Sequence, residues 1–247
     1  MEQKQLEAWT RRDLTIISLE GENCLVISCD SCGSIGLKDA DAFKLAPRYV
    51  SKFTTRVALT EVICCGALPV SVTNGVANEL EPTGEETILG IHDELSNAGL
   101  ANIVLNGSTE ENFKTSMTAL AITVIGVAKK NELKFGHAVA GDIMILLGSP
   151  GVGTEVELES KGFYDEIRLL LPLQDVKEIV PVGSKGIAYE AQTLAKLNGI
   201  AFKPYKTEID YFRSAGPATC MLVLCTDCSA DKVLTIYPAG IVVGEMT

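Results

Sequence analysis

Apolar residues recur along this chain in short blocks, and their spacing shifts between every second position and every third or fourth. Leu14 to Ser18 and Cys24 to Ser28 alternate and predict two strands around the polar turn Glu20-Gly-Glu-Asn23. The second strand is expected to end at Cys29-Asp30 and open a glycine-rich loop, Ser31-Cys-Gly-Ser-Ile-Gly36, headed by a carboxylate. Residues 1–13 are polar and predict a loose arm or a short helix. From Tyr49 to Cys65 the spacing is helical: Val50, Phe53, Val57 and Cys64 form one stripe, and Gly66 is the stop. A strand is predicted within Val70 to Leu80. Thr83-x-x-Glu86 then has the form of a capping box, starting a helix whose stripe is Ile88, Ile91, Leu95 and Ala98.

The densest candidate chemistry follows. Ile103 to Leu105 predicts a buried strand that turns sharply at Asn106-Gly107, both tolerant of positive φ. Ser108, Thr109, Glu110 and Glu111 come directly after it, and Thr118 to Val127 alternates as the next strand. A carboxylate cluster at a strand end can hold Mg²⁺ against a phosphate, because hard cations take oxygen ligands. The plain alternative is a solvated acidic turn. The polar stretch 129–141 marks a domain junction, giving domains 1–139 and 140–247. In the second, Asp142 to Gly148 predicts a strand, Phe163 to Leu171 a helix and Ser184 to Asn198 a serine-capped helix. Pro217 to Cys225 and Gly240 to Val243 are the closing strands.

With 247 residues and 47% hydrophobic content, the chain can bury one large core or two modest ones. No apolar run reaches the roughly 20 residues that span a bilayer. The opening MEQKQLEAW lacks a secretory pattern, and eight cysteines then suggest free thiols in a reducing cytoplasm. A net charge of −11 argues against a nucleic-acid partner, but it leaves room for a nucleotide bridged by metal.

Glu61 falls on the apolar stripe of its helix. A carboxylate there is paired, metal-bound or at the edge of a cleft, unless the helix rotates it into solvent. Gly148-Ser-Pro-Gly-Val-Gly153 follows a strand, but Thr154 stands where a Walker loop needs lysine, so it reads as a turn. Cys29-x-x-Cys32 and Cys225-x-x-Cys228 have zinc-like local spacing and lie far apart in sequence. Val182-Gly-Ser-Lys-Gly186 opens a helix, either as an anion site with Lys185 adding charge or as a capped start with a solvated lysine.

In order, several of these pieces resemble the aminoimidazole-ribonucleotide synthetase-like (PurM-like) family, which includes thiamine-monophosphate kinase, selenophosphate synthetase and a hydrogenase-maturation protein. Val26-Ile-Ser-Cys-Asp30 with Gly33-Ser34 resembles its strand and acidic loop. Glu61-Val-Ile-Cys-Cys-Gly-Ala-Leu-Pro69 resembles its helix ending, with Glu61 in place of a metal-binding aspartate. Ala98-Gly-Leu to Asn106-Gly-Ser-Thr109 resembles its G-G-[DE]-T element, with Ser108 replacing the acid. Thr123 to Val127, Gly141-Asp142, Gly183 to Gly186 and Val243-Gly-Glu245 follow in family order. Lys185 stands where the kinase branch has aspartate, which argues against a plain thiamine-monophosphate kinase. Asn106 to Asn112, Pro181 to Glu190 and Ser214 to Thr219 are most similar to the branch that phosphorylates α-ribazole, the lower-ligand nucleoside of cobalamin.

The resemblance implies an α+β fold in two domains, with the first-domain sheets of a homodimer joining into a barrel and the second domain an α/β sandwich. It implies a cytoplasmic kinase using ATP and Mg²⁺ on a small-molecule alcohol. On this reading Asp30, Glu61 and Glu110 hold the metal, with Glu111 the competing carboxylate. Gly33, Ser34, Gly107, Ser108, Thr109, Ser184 and Gly186 would line the nucleotide. Lys185 and Glu111 would serve the chemistry, and Asn74 and Asn78 would contact substrate.

Overall fold

The computed structural model describes residues 6–247. Contacts divide it into two compact units, one holding the chain up to Ile63 together with Ala67–Glu132, the other Cys64–Gly66 with Leu133–Thr247.

The first unit begins with β1 (Ala8–Arg11), β2 (Leu14–Ser18) and β3 (Asn23–Gly33). The predicted arm 1–13 therefore contains a strand at Ala8–Arg11 followed by a turn at Arg12-Asp13, with residues 1–5 outside the described residues. Two-residue strands β4 (Ile35–Gly36), at the end of the glycine-rich loop, and β5 (Phe43–Lys44) pair in parallel. Then come α1 (Pro47–Cys64), β6 (Leu68–Val76), α2 (Glu85–Asn97), β7 (Val104–Ser108) and β8 (Ala119–Lys129). Six of these strands make one sheet in the order β1-β2-β3-β8-β6-β7.

Alternation fixes which face is covered. Cys24, Val26 and Ser28 of β3, with Leu120, Ile122 and Val124 of β8, are buried, whereas Leu25, Ile27 and Ile125 between them are half-exposed. Close backbone approach sets the helices on that inner face. A Cβ on Gly126 would lie 2.6 Å from Val62 Cγ1 of α1. A Cβ on Gly90 of α2 would lie 1.9 Å from the Arg48 carbonyl oxygen, so only glycine lets the two helices cross there. Arg56 and Glu94, both buried, join α1 to α2 through two hydrogen bonds of 2.6 and 2.9 Å.

Several expectations are corrected. The implied barrel does not form: among the described residues the first sheet is open, with β1 and β7 as separate edges. What stands is an α+β fold in two units without a closed sheet. The chain does not turn at Asn106-Gly107 either, since β7 runs on to Ser108 in parallel with β6, as an exposed edge strand. The capping box at Thr83 is absent. Residues Leu80–Gly84 form a wide turn, and α2 starts after Gly84 without a side-chain cap.

The second unit contains β9 (Ile143–Gly148), α3 (Tyr164–Leu170), β10 (Val176–Pro181), α4 (Gly186–Leu197), β11 (Phe202–Pro204), β12 (Cys220–Cys225), α5 (Ala230–Ile236) and β13 (Ile241–Met246). Its five strands pair antiparallel in the order β10-β12-β9-β13-β11. Met144, Leu146, Leu222 and Leu224 pack with Ile187, Ala191 and Leu194 of α4. Every residue of β12 is buried, so both faces of this sheet are covered. Ser184 does not cap α4. Lys185 holds the cap position in helical geometry, and no side chain caps the helix. No helix among the described residues is long and apolar enough to cross a membrane.

Candidate functional site

Three strands of the first sheet, linked through β8, bring sequence-selected residues to one end of the sheet. Asp30 lies within β3, three residues before its end, and pairs with Ile122 of β8; Ile122 pairs on its other side with Asn74 of β6; Asn74 pairs with Gly107 of β7. Directly opposed residues share a face, so this row lies on the inner, helix-covered side. Gly107 is required there, since a Cβ would sit 1.5 Å from Asn74 Oδ1.

Asp30 makes no ion pair among the described residues and is half-buried. Burial pushes its carboxyl up to about 6, against a stabilising backbone hydrogen bond from Ser31, and the charge of Asp13 adds to the rise. Cys32 shares that face, and burial, with the charges of Asp30 and Asp41, pushes its thiol up to about 11. Cys29 is exposed on the opposite face, so Cys29 and Cys32 cannot chelate one ion together.

Glu61 resolves differently from Asp30. Both its oxygens accept hydrogen bonds from Arg12, Oε2 from Nη1 at 3.0 Å and Oε1 from Nη2 at 3.2 Å. The two side chains are only 7% and 6% exposed. Arg12 sits in the turn between β1 and β2 with φ of 51°, a left-handed geometry that aims its neighbours' side chains differently from those of a strand. Asp13 lies 3.9 Å from the same guanidinium.

The remaining residues gather around Asn78. Its Nδ2 donates to Thr115 Oγ1 and to the Met117 carbonyl, both at 2.8 Å, and its Oδ1 accepts from Ala119 N. Its carbonyl accepts from Glu110 N. Asn78 is thus a fully engaged buried tie, and Asn74, 6% exposed, is the amide whose side chain makes no hydrogen bond among the described residues. Glu110 Oε1 accepts from Asn112 N at 2.7 Å; Glu111 Oε1 accepts from Leu80 N and Thr109 Oγ1 at 2.9 and 2.7 Å. These carboxylates fold their own loop. Ser108 and Gly107 remain exposed on the edge strand. Ser34 has φ of 65°, donates its N–H to the Thr118 carbonyl, and accepts Ala42 N on Oγ, so the Gly33-Ser34 turn is tied to the same place.

Sequence reasoning missed the residues that build this end. Asp41 is buried; although burial raises its carboxyl, hydrogen bonds from Thr118 N and Oγ1 and from Lys38 N outweigh that and hold it low. Glu79 accepts from Lys38 Nζ at 2.7 Å and from Thr115 N and Oγ1, which hold its carboxyl below the usual range. Apart from Lys38 N, three residues before Asp41, the partners lie 36 to 77 residues away and leave no spacing signature in the sequence.

In the second unit, Lys185 Nζ stands 4.2 Å from the centre of the Tyr189 ring. Gly186 N donates to the Gly183 carbonyl and Ala188 N to the Tyr211 carbonyl, so two of the first amides near this helix start are taken by protein. A Cβ on Gly186 would lie 2.8 Å from the carbonyl oxygens of Tyr211 and Arg213.

The divalent cation implied by the sequence resemblance meets one fitting carboxylate. Asp30 is half-buried and makes no ion pair among the described residues, so a cation there would offset the burial of its charge. Glu61 does not fit as it stands, because a guanidinium holds both oxygens. Among the described residues no group of three or more histidine, cysteine, aspartate or glutamate side chains could hold a metal ion.

The family model described as AIR synthase related protein, N-terminal domain, matches residues 11–128. No curated protein sequence matches significantly. Among solved structures, Thermotoga maritima PurL complexed with ATP superposes with a TM-score of 0.72 at 14% identity, over 94% of this chain and 41% of that one. A HypE–HypF complex gives 0.68 at 17%, over 94% and 86%; Escherichia coli HypE gives 0.67 at 16%, over 90% and 79%. The chain thus spans about two fifths of the length of PurL. The protein thus shares the fold of these PurL and HypE structures, and its residues 11–128 match the AIR-synthase-related N-terminal domain.

Proposed function

We propose that this chain is an ATP-dependent phosphotransferase of PurM-like type, acting on the hydroxyl of a small molecule. The observation that carries the reading is Asp30, a half-buried carboxylate with no ion pair among the described residues, in one row with Asn74 and Gly107 at the end of the sheet. A PurL of the same fold is described in complex with ATP, which supports the nucleotide. Phosphoryl transfer asks mainly for alignment and charge neutralisation. Asp30 would hold the Mg²⁺ of Mg–ATP, and that ion would offset the triphosphate charge. Glu110 would supply a further oxygen ligand in this reading, after release from Asn112 N. The exposed edge Gly107-Ser108 would offer backbone N–H groups and a hydroxyl to phosphate, and the Asn74 amide would meet the acceptor. In the second unit Lys185 supplies a cation for an anionic group.

For the acceptor, the residue pattern of Asn106–Asn112 and Pro181–Glu190 favours the 5′-hydroxyl of α-ribazole, with thiamine monophosphate the competing substrate. The exposed apolar outer face, including Leu68 and Val127, supports self-association as a homodimer. The test is ADP release from ATP with each acceptor. Turnover with α-ribazole alone supports the substrate; turnover only with another acceptor keeps the phosphotransferase and discards α-ribazole. A catalytically silent nucleotide-binding module is the second reading, favoured by the closure of Glu61 onto Arg12. Stabilisation by Mg–ATP without turnover of any acceptor would establish it.

A further inference from the structure

We propose that the Arg12 guanidinium is a built-in cation occupying the carboxylate of Glu61, so that Glu61 is closed to a divalent metal ion while Arg12 is present. The pair has the geometry of a fixed structural ion pair: two hydrogen bonds, 3.0 and 3.2 Å, from two different nitrogens to two different oxygens. Both side chains are almost wholly buried. A metal ion taking Glu61 would have to break two hydrogen bonds from an enclosed guanidinium and place a second cation beside it, which is strongly unfavourable. Local chain geometry points the same way. Arg12 is a non-glycine residue held at positive φ, and a left-handed turn at this place is otherwise suited to glycine or asparagine. Glu61 carries one more methylene than the aspartate of the resembled motif. The consequence is a division of labour at this end of the sheet, with Arg12 as resident charge and Asp30 as the carboxylate open to an exchangeable cation. Arg12 is thus a positioning residue, and the inference depends on the nucleotide reading only for what binds at Asp30.

The experiment uses Mn²⁺ as probe and the full chain as protein, following thermal midpoints with and without the ion and Mn²⁺ occupancy by electron paramagnetic resonance. Four proteins are compared: wild type, Glu61→Gln, Arg12→Ala, and the Arg12→Ala/Glu61→Gln double variant. The expected result is that Glu61→Gln leaves wild-type Mn²⁺ occupancy unchanged. Arg12→Ala should gain a Mn²⁺ response of at least about 2 °C over wild type, and the double variant should lose that gain. If Arg12→Ala does not fold without metal, recovery of its folded signal by Mn²⁺, abolished by Glu61→Gln, reads the same property; Arg12→Gln serves as the milder variant. Loss of wild-type Mn²⁺ occupancy on Glu61→Gln, or no gain in either Arg12 variant, overturns the proposal. Failure of Mg–ATP to stabilise wild type would sink the phosphotransferase reading and leave these comparisons intact.

Discussion

Asp30 and Asn74 are both register partners of Ile122, one on either side, so a carboxyl and an amide face the same way two strand spacings apart, about 10 Å. That interval is set by the sheet and not by a loop, which makes it a rigid frame for a ligand between the two groups. Asp30→Asn keeps the shape and hydrogen-bonding surface and removes the charge. The expected outcome is a loss of phosphotransfer of at least about a hundredfold with the circular dichroism spectrum unchanged. Retained Mg–ATP binding in this variant would dismiss Asp30 as the cation's ligand.

The acidic groups at this end of the sheet divide by sign. Asp30 has its native carboxyl raised to about 6 by burial, so its contribution favours folding below the unfolded-state range near 4 and is lost as pH rises through about 6. Glu79, lowered chiefly by its hydrogen bond from Lys38, does the reverse, as does Asp41, where hydrogen bonds from Thr118 outweigh burial. Their contributions are present above about 4 and are lost as pH falls through their lowered native values. Urea midpoints of the wild type should therefore carry a declining contribution between about pH 4 and 6 that Asp30→Asn abolishes. An unchanged pH profile in that variant would refute the raised carboxyl.

How much of this was legible in the sequence depends on the range of the interaction. Leu14 to Ser18 follows from period alone because it buries one face, while the helix through Val50, Phe53 and Cys64 and the strand Asp142 to Gly148 were legible as helical spacing and a short apolar run although both are buried on nearly every side. The end of β3 was misplaced because Asp30 and Gly33 look like loop residues, yet pairing with Ile122 and Ala119 extends the ladder through them. Asn106-Gly107 misled in the same way: its turn propensity is overridden by parallel pairing to Thr73 and Asn74. Glu61 was recognised as out of place on an apolar stripe, and pairing was one of the outcomes open to it. Its partner, 49 residues earlier in a short polar turn, had no signature.

Gly107 offers a test of the row at its edge. A methyl group there would meet Asn74 Oδ1 at 1.5 Å and the Asn74 carbonyl oxygen at 2.7 Å, so Gly107→Ala must move the amide and press on the strand. The expected cost is about 1–3 kcal/mol. Asn74→Ala in the same chain should restore part of it by clearing the side-chain overlap, leaving the backbone component. Equal costs in the single and double variants, measured by urea unfolding, would mean that the two residues do not press on one another.

Arg56 and Glu94 form a buried ion pair that links α1 to α2. Their side chains are 3% and 0% exposed, and Glu94 Oε2 also accepts from Asn97 Nδ2 at 3.0 Å. Removing one partner leaves the other charge in the interior without its counter-ion, so Arg56→Ala should cost about 3–5 kcal/mol. For a chain of this size that corresponds to a fall of roughly 10 °C in Tm, if the unit unfolds cooperatively. Replacing both residues by apolar ones of similar volume, Arg56→Met with Glu94→Leu, should recover most of the loss, because no charge is then left buried. The comparison separates the pair's net worth from the penalty of breaking it. A double variant no more stable than Arg56→Ala would show that the pair orients α1 against α2 in a way that packing alone does not reproduce.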